Sequence, residues 1–222
     1  MKIFLDSGNL EEVKKVKNLG VLKGITTNPT LIAKEKINGR KDFLNHIKNM
    51  CDISQVPVSA EIVSLELNSI IEEGEELHSI HPNVVVKIPL NESGLQAIHY
   101  FQQKNIATNA TVIFSPLQGM LAAINGADYV SPYIGRLDDI GHNGLGQTKK
   151  LITIFNNYQF KSEIIAASVK TIFQIINLSE LGVHIVTLPY TLIMEMLYHP
   201  LTDIGIEKFL KDWRSVEQPN EK

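Results

Sequence analysis

Short apolar segments alternate with longer amphipathic segments along the chain, and this alternation restricts the possible folds more than any other feature. Eight segments have the length and composition of buried strands, and each precedes a pattern with apolar residues at helical spacing. The predicted strands are KIFLD (2–6), GITT (24–27), VPVSAEIV (56–63), NVVVKIP (83–89), ATNATVIF (107–114), DYVSPYI (128–134), EIIAASV (163–169) and VHIVTLP (183–189). The predicted helices cover 9–19, 41–51, 70–80, 93–103, 116–126, 148–158, 171–182 and 190–199. Such alternation predicts a parallel sheet joined by helical crossovers.

A closed barrel fits this pattern better than an open sheet does. Eight units in 222 residues lie near the lower size limit of a (β/α)8 barrel, whereas a doubly wound sheet usually has fewer strands. An open sheet also favours a glycine-rich first turn, and DSGNL (6–10) does not match G-x-G-x-x-G. We therefore predict an α/β protein, with a single (β/α)8 TIM barrel over residues 1–222 and an extra C-terminal helix over about 204–216. The segment GHNGLGQ (141–147) is predicted to be a loop at the rim.

Composition and charge exclude several classes of function. The net charge is −3, and Lys and Arg do not cluster among aromatic residues, so we expect no nucleic-acid partner. No apolar run approaches the ~20 residues of a membrane helix, and the first apolar run is too short for a signal peptide. Cys51 is the single cysteine, which favours a reducing compartment and predicts a cytoplasmic location. His78 and His81 have no further ligands nearby in the sequence, so no metal is expected.

Polar side chains recur near the C-terminal ends of the predicted strands, which is where barrel enzymes carry their chemistry. Singly, each has an ordinary explanation: Asp6 could cap a helix, Asn28 could form a turn, and Arg136 could join an exposed ion pair. Together they place polar groups at one level of nearly every strand, which predicts an active site there. The residues are Asp6, Thr26, Asn28, Glu61, Lys87, Asn109, Thr111, Ser131, Tyr133, Arg136, Ser168 and Lys170.

Lys87 is the most informative of these residues, because its strand, NVVVKIPL (83–90), is apolar enough to be buried on both faces. The lysine could pair with an acid or extend its ammonium to the strand end. Alternatively, burial lowers its pKa and leaves an amine that forms an imine with a carbonyl, a sink for the electrons of a breaking carbon–carbon bond. Asp6 and Glu61 are then candidate acid/base groups. The candidates for binding a phosphorylated polyol are Asn28, Asn109, Thr111, Ser131, Arg136 and Lys170.

Several motifs in order resemble the transaldolase family, in its small subfamily that also contains fructose-6-phosphate aldolase. They are FLDSGNLEEV, GITTNPTLI, VSAEIVS, VVKIPL, NATVIFSPLQ, YVSPYIGRLDDIG and AASVKT, and the similarity runs from Met1 to about Trp213. The resemblance implies a class I aldolase barrel that needs neither a metal nor an organic cofactor. It implies that Lys87 forms the imine and that Asp6 handles the proton of the substrate C4 hydroxyl.

The resemblance implies further roles, residue by residue. Glu61 and Thr111 resemble the pair that holds a catalytic water. The dihydroxyacetone portion would be bound by Asn28, Asn109 and Ser131 with Thr26 beside them, and the phosphate by Arg136, Ser168 and Lys170. Many transaldolases carry an arginine at the position of Lys170, and a lysine supplies the charge without a bidentate fork.

Two subfamily activities remain open at this point. Glu61 and Asn109 are similar to the transaldolases, whereas Tyr133 is similar to the aldolases. We expect a transaldolase of the pentose phosphate pathway that transfers a dihydroxyacetone unit between sugar phosphates. The alternatives are a fructose-6-phosphate aldolase and, more remotely, a non-catalytic sugar-phosphate-binding barrel. Small members of the family form rings, so a homo-oligomer, a pentamer or decamer, is expected, with the C-terminal helix and Trp213 against a neighbour or against their own barrel.

Overall fold

A computed structural model describes residues 1–217 and shows a closed barrel of parallel strands in sequential order, β1 to β8. The strands are β1 Lys2–Asp6, β2 Leu22–Thr26, β3 Val58–Glu61, β4 Val84–Pro89, β5 Thr108–Ile113, β6 Tyr129–Pro132, β7 Glu163–Ala166 and β8 Ile185–Leu188. The barrel closes where β8 pairs with β1. The predicted TIM barrel is therefore confirmed, with strands that are mostly shorter than the sequence pattern suggested.

Helices follow every strand and form the outer layer. They are α1 Leu10–Asn18, α2 Pro29–Ala33, α3 Gly39–Ser54, α4 Leu67–Ile80, α5 Glu92–Gln103, α6 Pro116–Ile124, α7 Ile134–Asp139, α8 Gly144–Tyr158, α9 Ile172–Glu180, α10 Tyr190–Glu195 and α11 Pro200–Glu217. The sequence analysis missed the short helices α2 and α7. The predicted loop over 141–147 is confirmed only for 141–143, because Asn143 caps α8 by accepting a hydrogen bond from the Gly146 backbone, and the helix begins at Gly144.

Capping side chains end the turns after several strands and so fix where the next helix begins. Asn9 accepts hydrogen bonds from two backbone amides at the start of α1, and Asn28 accepts one at the start of α2. Ser115 and Thr171 each form a reciprocal capping box with a glutamine three residues later. These caps keep the turns short, which holds the strand-end side chains on a rigid scaffold.

Two apolar cores stabilise the fold. The larger core lies between the strands and the helices, and the smaller one lies inside the barrel, where Phe4 packs with Ile165 and Ile185 beside Tyr129. Gly24 makes room for the inner core, because a Cβ at that position would lie 2.3 Å from the Phe4 ring. The apolar plug fills the lower part of the barrel interior, so polar residues are confined to its C-terminal end.

Strand register determines which polar side chains become neighbours. Glu61 pairs with Lys87 across β3 and β4, and Lys87 pairs with Asn109 across β4 and β5. On the other side, Asp6 pairs with Thr26 across β1 and β2. The β5–β6 ladder shifts after Ala110, where Val112 has a φ of 58°. Because this conformation is rare for a β-branched residue, the irregularity marks strain beside the predicted site.

The C-terminal helix α11 is longer than predicted and begins at Pro200 rather than near residue 204. None of its residues is buried, although it carries a row of large apolar side chains. The exposed ones are Leu201, Ile204, Ile206, Phe209, Leu210, Trp213 and Val216. Within residues 1–217, no helix is both long and apolar enough to cross a membrane.

Candidate active site

A small polar cavity, here the mouth cavity, opens at the C-terminal end of the barrel. Its volume is about 120 Å³. Its lining consists of Asp6, Thr26, Asn28, Lys87, Ser131, Tyr133, Arg136, Ala167, Ser168 and Thr187. Most of the residues predicted from the strand ends therefore meet at one place. Glu61, Asn109, Thr111 and Lys170 are the predicted residues that lie outside this lining.

Lys87 lies in the wall of the mouth cavity with its amine turned toward β2 and β3. The residue is only 4% exposed. Its Nζ donates a hydrogen bond to the backbone oxygen of Thr27 at 2.8 Å. Its Nζ also lies 2.9 Å from Glu61 Oε2, although the contact lacks hydrogen-bond geometry. The amine is thus fixed by two contacts on one side and faces the cavity on the other.

The pKa of Lys87 is raised, so the prediction of a lowered pKa was wrong. Burial acts to lower this pKa, because it disfavours the charged ammonium. The phenol oxygen of Tyr133 and the carboxylates of Glu61 and Asp6 act in the opposite direction, and together they outweigh burial. The alternative expectation, that Lys87 pairs with an acid, is confirmed by its contact with Glu61 at 2.9 Å. Any attack by this amine therefore requires that a neighbour first takes its proton.

Asp6 ends a chain of hydroxyl groups that crosses the mouth. Thr26 Oγ1 donates to Asp6 Oδ1 at 2.7 Å, and the hydroxyls of Thr26 and Thr187 are 2.6 Å apart. Burial raises the pKa of Asp6, and Lys87 and Thr26 oppose that shift without cancelling it. A carboxylate with a raised pKa is suited to exchange a proton with a substrate near neutral pH. Thr187 was missed, although it is a lone hydroxyl in the apolar eighth strand at the level of the other polar residues.

Ser131 lies on the cavity wall, and Asn109 lies directly behind it. Ser131 Oγ donates to Asn109 Oδ1 at 2.7 Å, and Asn109 Nδ2 donates to Ser59 Oγ at 3.1 Å. Asn109 is fully buried and does not line the cavity. Its position next to Lys87 agrees with the prediction, but in this geometry it orients Ser131 rather than facing the cavity itself. Ser59 is a further member of the network that sequence analysis missed.

Tyr133 connects the strained end of β5 with the cavity. Thr111 Oγ1 donates to Tyr133 Oη at 3.3 Å behind the wall. The Tyr133 ring packs edge-on against Phe114 at a centroid distance of 5.7 Å. The Arg136 guanidinium carbon lies 4.9 Å from the centroid of the Tyr133 ring. The phenol is therefore held by one hydrogen bond and by two aromatic or cation–π contacts.

The residues predicted to bind phosphate are only partly assembled. Arg136 and Ser168 line the cavity, whereas Lys170 Nζ lies 2.6 and 2.5 Å from the two carboxylate oxygens of Asp139. Gly135 permits the close contact between the two loops, because a Cβ there would lie 2.1 Å from the Ser168 carbonyl oxygen, which its own amide reaches at 3.0 Å. Lys170 thus lies beside the site but is engaged by an acid.

The part of the chain that the structure describes contains no group of three or more His, Cys, Asp or Glu side chains able to hold a metal ion. Cys51 is buried, and burial raises the pKa of its thiol to about 12. Neither feature adds a reactive group to the mouth cavity.

Comparison with known proteins identifies the family of the chain. A family model described as Transaldolase/Fructose-6-phosphate aldolase matches residues 3–220. The chain belongs to the transaldolase/fructose-6-phosphate aldolase family. A probable transaldolase of Syntrophobacter fumaroxidans is similar to this chain, with 48% identity over 98% of this chain and 99% of the relative. A probable transaldolase of Syntrophomonas wolfei is 49% identical over 97% of this chain and 100% of the relative.

A probable transaldolase of Clostridium botulinum is likewise 49% identical, over 97% of this chain and 98% of the relative. These matches cover nearly the whole length of each protein. The family resemblance seen in the motifs is therefore confirmed, and so is the prediction that the chain is an enzyme.

Proposed function

We propose that this chain is a transaldolase that acts through a Schiff base on Lys87. The observation that carries the proposal is a buried amine in the wall of a polar mouth, with Glu61 and Asp6 as the nearest proton acceptors. The donor would be a ketose phosphate such as fructose 6-phosphate or sedoheptulose 7-phosphate. The acceptor would be an aldose phosphate such as erythrose 4-phosphate or glyceraldehyde 3-phosphate. The proposal includes a role in the pentose phosphate pathway and a cytoplasmic location, which the single cysteine of the chain supports.

The first step of the proposed mechanism is formation of the imine. Lys87 passes its proton to a carboxylate, for which Glu61 at 2.9 Å is closest. The free amine then attacks C2 of the ketose, the C2 oxygen takes up protons, and it leaves as one molecule of water. The raised pKa of Lys87 opposes transfer of its proton to the carboxylate, so the free amine is the minor form. A bound ketose holds its carbonyl within reach of the amine, and reaction with the carbonyl removes this minor form and draws the proton transfer forward.

The second step breaks the carbon–carbon bond. Asp6 accepts the proton of the C4 hydroxyl, the C3–C4 bond breaks, and its electron pair moves into the protonated imine, which becomes an enamine. The aldose formed from C4 onward leaves. The enamine carbon then attacks the acceptor aldehyde, Asp6 returns its proton to the new hydroxyl, and water hydrolyses the resulting imine to release the new ketose.

Substrate binding in this proposal uses the rest of the lining. Asn28 keeps its side-chain amide donors for the sugar, because its Oδ1 already accepts the Leu31 backbone amide at 3.0 Å. Ser131 and Thr26 offer hydroxyls to the dihydroxyacetone unit, with Asn109 behind Ser131. Arg136 and Ser168 would meet the phosphate, and Lys170 would join them by exchanging Asp139 for the substrate.

Acceptor dependence tests this function most simply. Incubation with fructose 6-phosphate and erythrose 4-phosphate should yield sedoheptulose 7-phosphate, and omission of the acceptor should stop turnover after one equivalent per site. Lys87→Met should abolish the transfer, while Lys149→Met, at an exposed lysine, should leave it unchanged. Transfer that survives in Lys87→Met would exclude the Schiff-base mechanism.

Fructose-6-phosphate aldolase is the second candidate, and the Tyr133 hydroxyl favours it. This phenol lines the cavity and accepts a hydrogen bond from Thr111, which is the placement needed to hold a water against the enamine. A water held there would protonate the enamine, and hydrolysis would release free dihydroxyacetone. Rapid, acceptor-free cleavage of fructose 6-phosphate would support this activity over transfer. Tyr133→Phe should then suppress the cleavage while keeping the ring contacts, and an unchanged rate would show that the phenol has no such role.

We also propose that the chain assembles into a homo-oligomer, a pentamer or a decamer, through α11. Seven large apolar side chains of this helix are exposed in the isolated chain, which is costly in water and typical of a covered face. Light scattering of the full chain should show one large species, and deletion of residues 200–222 should release smaller ones. A full chain that is monomeric at micromolar concentration would exclude the assembly.

A further inference from the structure

A second cavity lies next to the two residues that the Lys87 amine contacts, Thr27 and Glu61. It has a volume of about 370 Å³ and lies between the end of β2, helix α2, the start of α3 and the end of β3. Its wall is largely apolar, with Arg40 and Glu73 at its edge. The lining residues are Thr27, Asn28, Pro29, Ile32, Ala33, Ile37, Gly39, Arg40, Phe43, Glu61, Val63 and Glu73.

Two residues connect the Lys87 amine to the second cavity, whose lining does not include Lys87 itself. Lys87 belongs to the lining of the mouth cavity, but both protein contacts of its Nζ are to residues that line the second cavity, Thr27 and Glu61. Asn28 lines both cavities, and its side chain is fixed by the cap of α2. A molecule at the inner end of the second cavity would therefore meet Thr27 and Glu61, the two residues that contact the Lys87 amine.

Glu61 faces the second cavity and not the mouth. Its side chain is 9% exposed, and within residues 1–217 its charged partner is Lys87, whose Nζ lies 2.9 Å from Oε2. A carboxylate has about four acceptor positions on its two oxygens, so this one contact leaves positions that water can fill. Glu61 is thus placed to hold water at the inner end of the second cavity while it contacts the catalytic amine.

The mouth cavity is poorly suited to exchange this water during turnover. Its volume is about 120 Å³, so a bound ketose competes with water for the space beside Lys87. Imine formation nevertheless releases one water beside Lys87, and imine hydrolysis consumes one. Both events occur while a ketose covers the mouth, so the water requires another path to bulk solvent.

We propose that the second cavity is the water port of the active site, an inference that rests on the Schiff-base function proposed above. In imine formation, the C2 oxygen leaves as water into this cavity. In hydrolysis, a water from this cavity adds to C2, and Glu61 takes one of its protons. Glu61 returns that proton to the Lys87 nitrogen, and the C2–N bond breaks. The remaining proton of the C2 hydroxyl passes to the released Lys87 amine, which leaves a neutral ketone, a lysine ammonium and the Glu61 carboxylate.

The composition of the second cavity fits this task. Near Lys87, Thr27, Asn28 and Glu61 provide polar atoms, and a water molecule needs two to four such partners to be held. Farther out, Ile32, Ala33 and neighbouring apolar residues offer no hydrogen bonds, so water passes without being retained. The same apolar wall limits the solvation of the amine.

Exchange of the C2 oxygen with solvent measures the passage of water through the port separately from cleavage of the carbon–carbon bond. Fructose 6-phosphate incubated with the enzyme in ¹⁸O-labelled water, without acceptor, gains label at C2 each time an imine forms and hydrolyses. Ala33 is an exposed residue of the cavity lining, so larger side chains there can fill the port without disturbing the core. Ala33→Leu and Ala33→Trp should slow the labelling in order of size, by about tenfold for tryptophan, while Ala33→Ser keeps the wild-type rate. The KM for fructose 6-phosphate should be unchanged in all three variants.

The outcomes separate the port from the function on which it depends. If wild-type enzyme shows neither labelling nor a borohydride-trapped adduct, the Schiff-base function itself is wrong. If the wild type is labelled and the tryptophan variant is labelled at the same rate, water reaches Lys87 by another path and the port is excluded. Slower labelling accompanied by an equal rise in KM would also overturn the proposal, because it would show that the substitution acts on the mouth.

Discussion

Replacing Glu61 by glutamine tests the electrostatic description of the site. The substitution keeps the size of the side chain and removes the carboxylate that lies 2.9 Å from Lys87 Nζ. Both side chains are nearly buried, at 4% and 9% exposure, so solvent screens the pair weakly. Breaking a buried pair by removing one partner costs about 3–5 kcal/mol. We expect about 3 kcal/mol at pH 7, the low end of that range, because Asp6 remains as a second negative group near the amine.

The pH dependence of this loss arises in the variant, because the raised pKa keeps Lys87 charged in the folded wild type at both pH 7 and pH 9. A raised pKa in the folded state stabilises the protein below the pKa of the unfolded lysine, about 10.4, and that stabilisation is lost as the pH rises through the folded value. Without Glu61, Lys87 can escape its unpaired charge by releasing a proton. This costs about 4.6 kcal/mol at pH 7 but only about 1.9 kcal/mol at pH 9. The loss of stability should therefore fall from about 3 kcal/mol at pH 7 to about 2 kcal/mol at pH 9.

Urea unfolding at the two pH values, at one protein concentration, measures both losses by linear extrapolation. Glu163→Gln is the matched control, because Glu163 pairs with Lys2 at 2.8 Å in an exposed position. Its loss should stay below about 1 kcal/mol at either pH. A Glu61→Gln protein as stable as the wild type at pH 7, or one whose loss grows at pH 9, would refute Glu61 as a stabilising partner of the Lys87 charge.

Further substitutions test the acid/base group and the interior of the barrel. Asp6→Asn should lower turnover by about 10²–10⁴-fold, because it removes the proton acceptor. Burial raises the pKa of Asp6, so its ionised form destabilises the fold at neutral pH; unfolding assays should therefore show that Asp6→Asn is at least as stable as the wild type at pH 7. A clear loss of stability would show that its charge supports Lys87 more than burial opposes it. Gly24→Ala should cost about 1–3 kcal/mol in thermal unfolding, because its Cβ meets the Phe4 ring. Adding Phe4→Leu should recover part of that loss, and strict additivity would contradict the predicted clash.

The fold was largely predictable from the sequence, because the eight short apolar strands are easily told from the amphipathic helices between them. Their regular alternation is the signature of a parallel barrel. The errors occurred where local sequence opposes the structure. Gly144 and Gly146 disfavour a helix, yet the Asn143 cap begins α8 there. The short α2 and α7 have too few turns to show a helical period.

The candidate site was predictable as a set but not in its contacts. Lys87 stood out because a charge in an apolar strand is costly. The direction of its pKa shift could not be predicted, because it depends on the register that places Glu61 opposite Lys87. In the same way, the position of Lys170 after β7 did not indicate its ion pair with Asp139. Asp139 is an exposed residue at the end of α7, the helix that follows β6.

Borohydride trapping tests the central claim most directly. The enzyme is incubated with fructose 6-phosphate, reduced, digested and analysed by mass spectrometry. We expect a dihydroxyacetone-derived or hexose-derived adduct on Lys87 and on no other lysine. In Asp6→Asn, we expect the hexose-derived adduct on Lys87 but not the cleaved, three-carbon adduct. An active enzyme whose adduct lies on another lysine, or which gives no adduct at all, would contradict the assignment of Lys87 as the imine-forming residue.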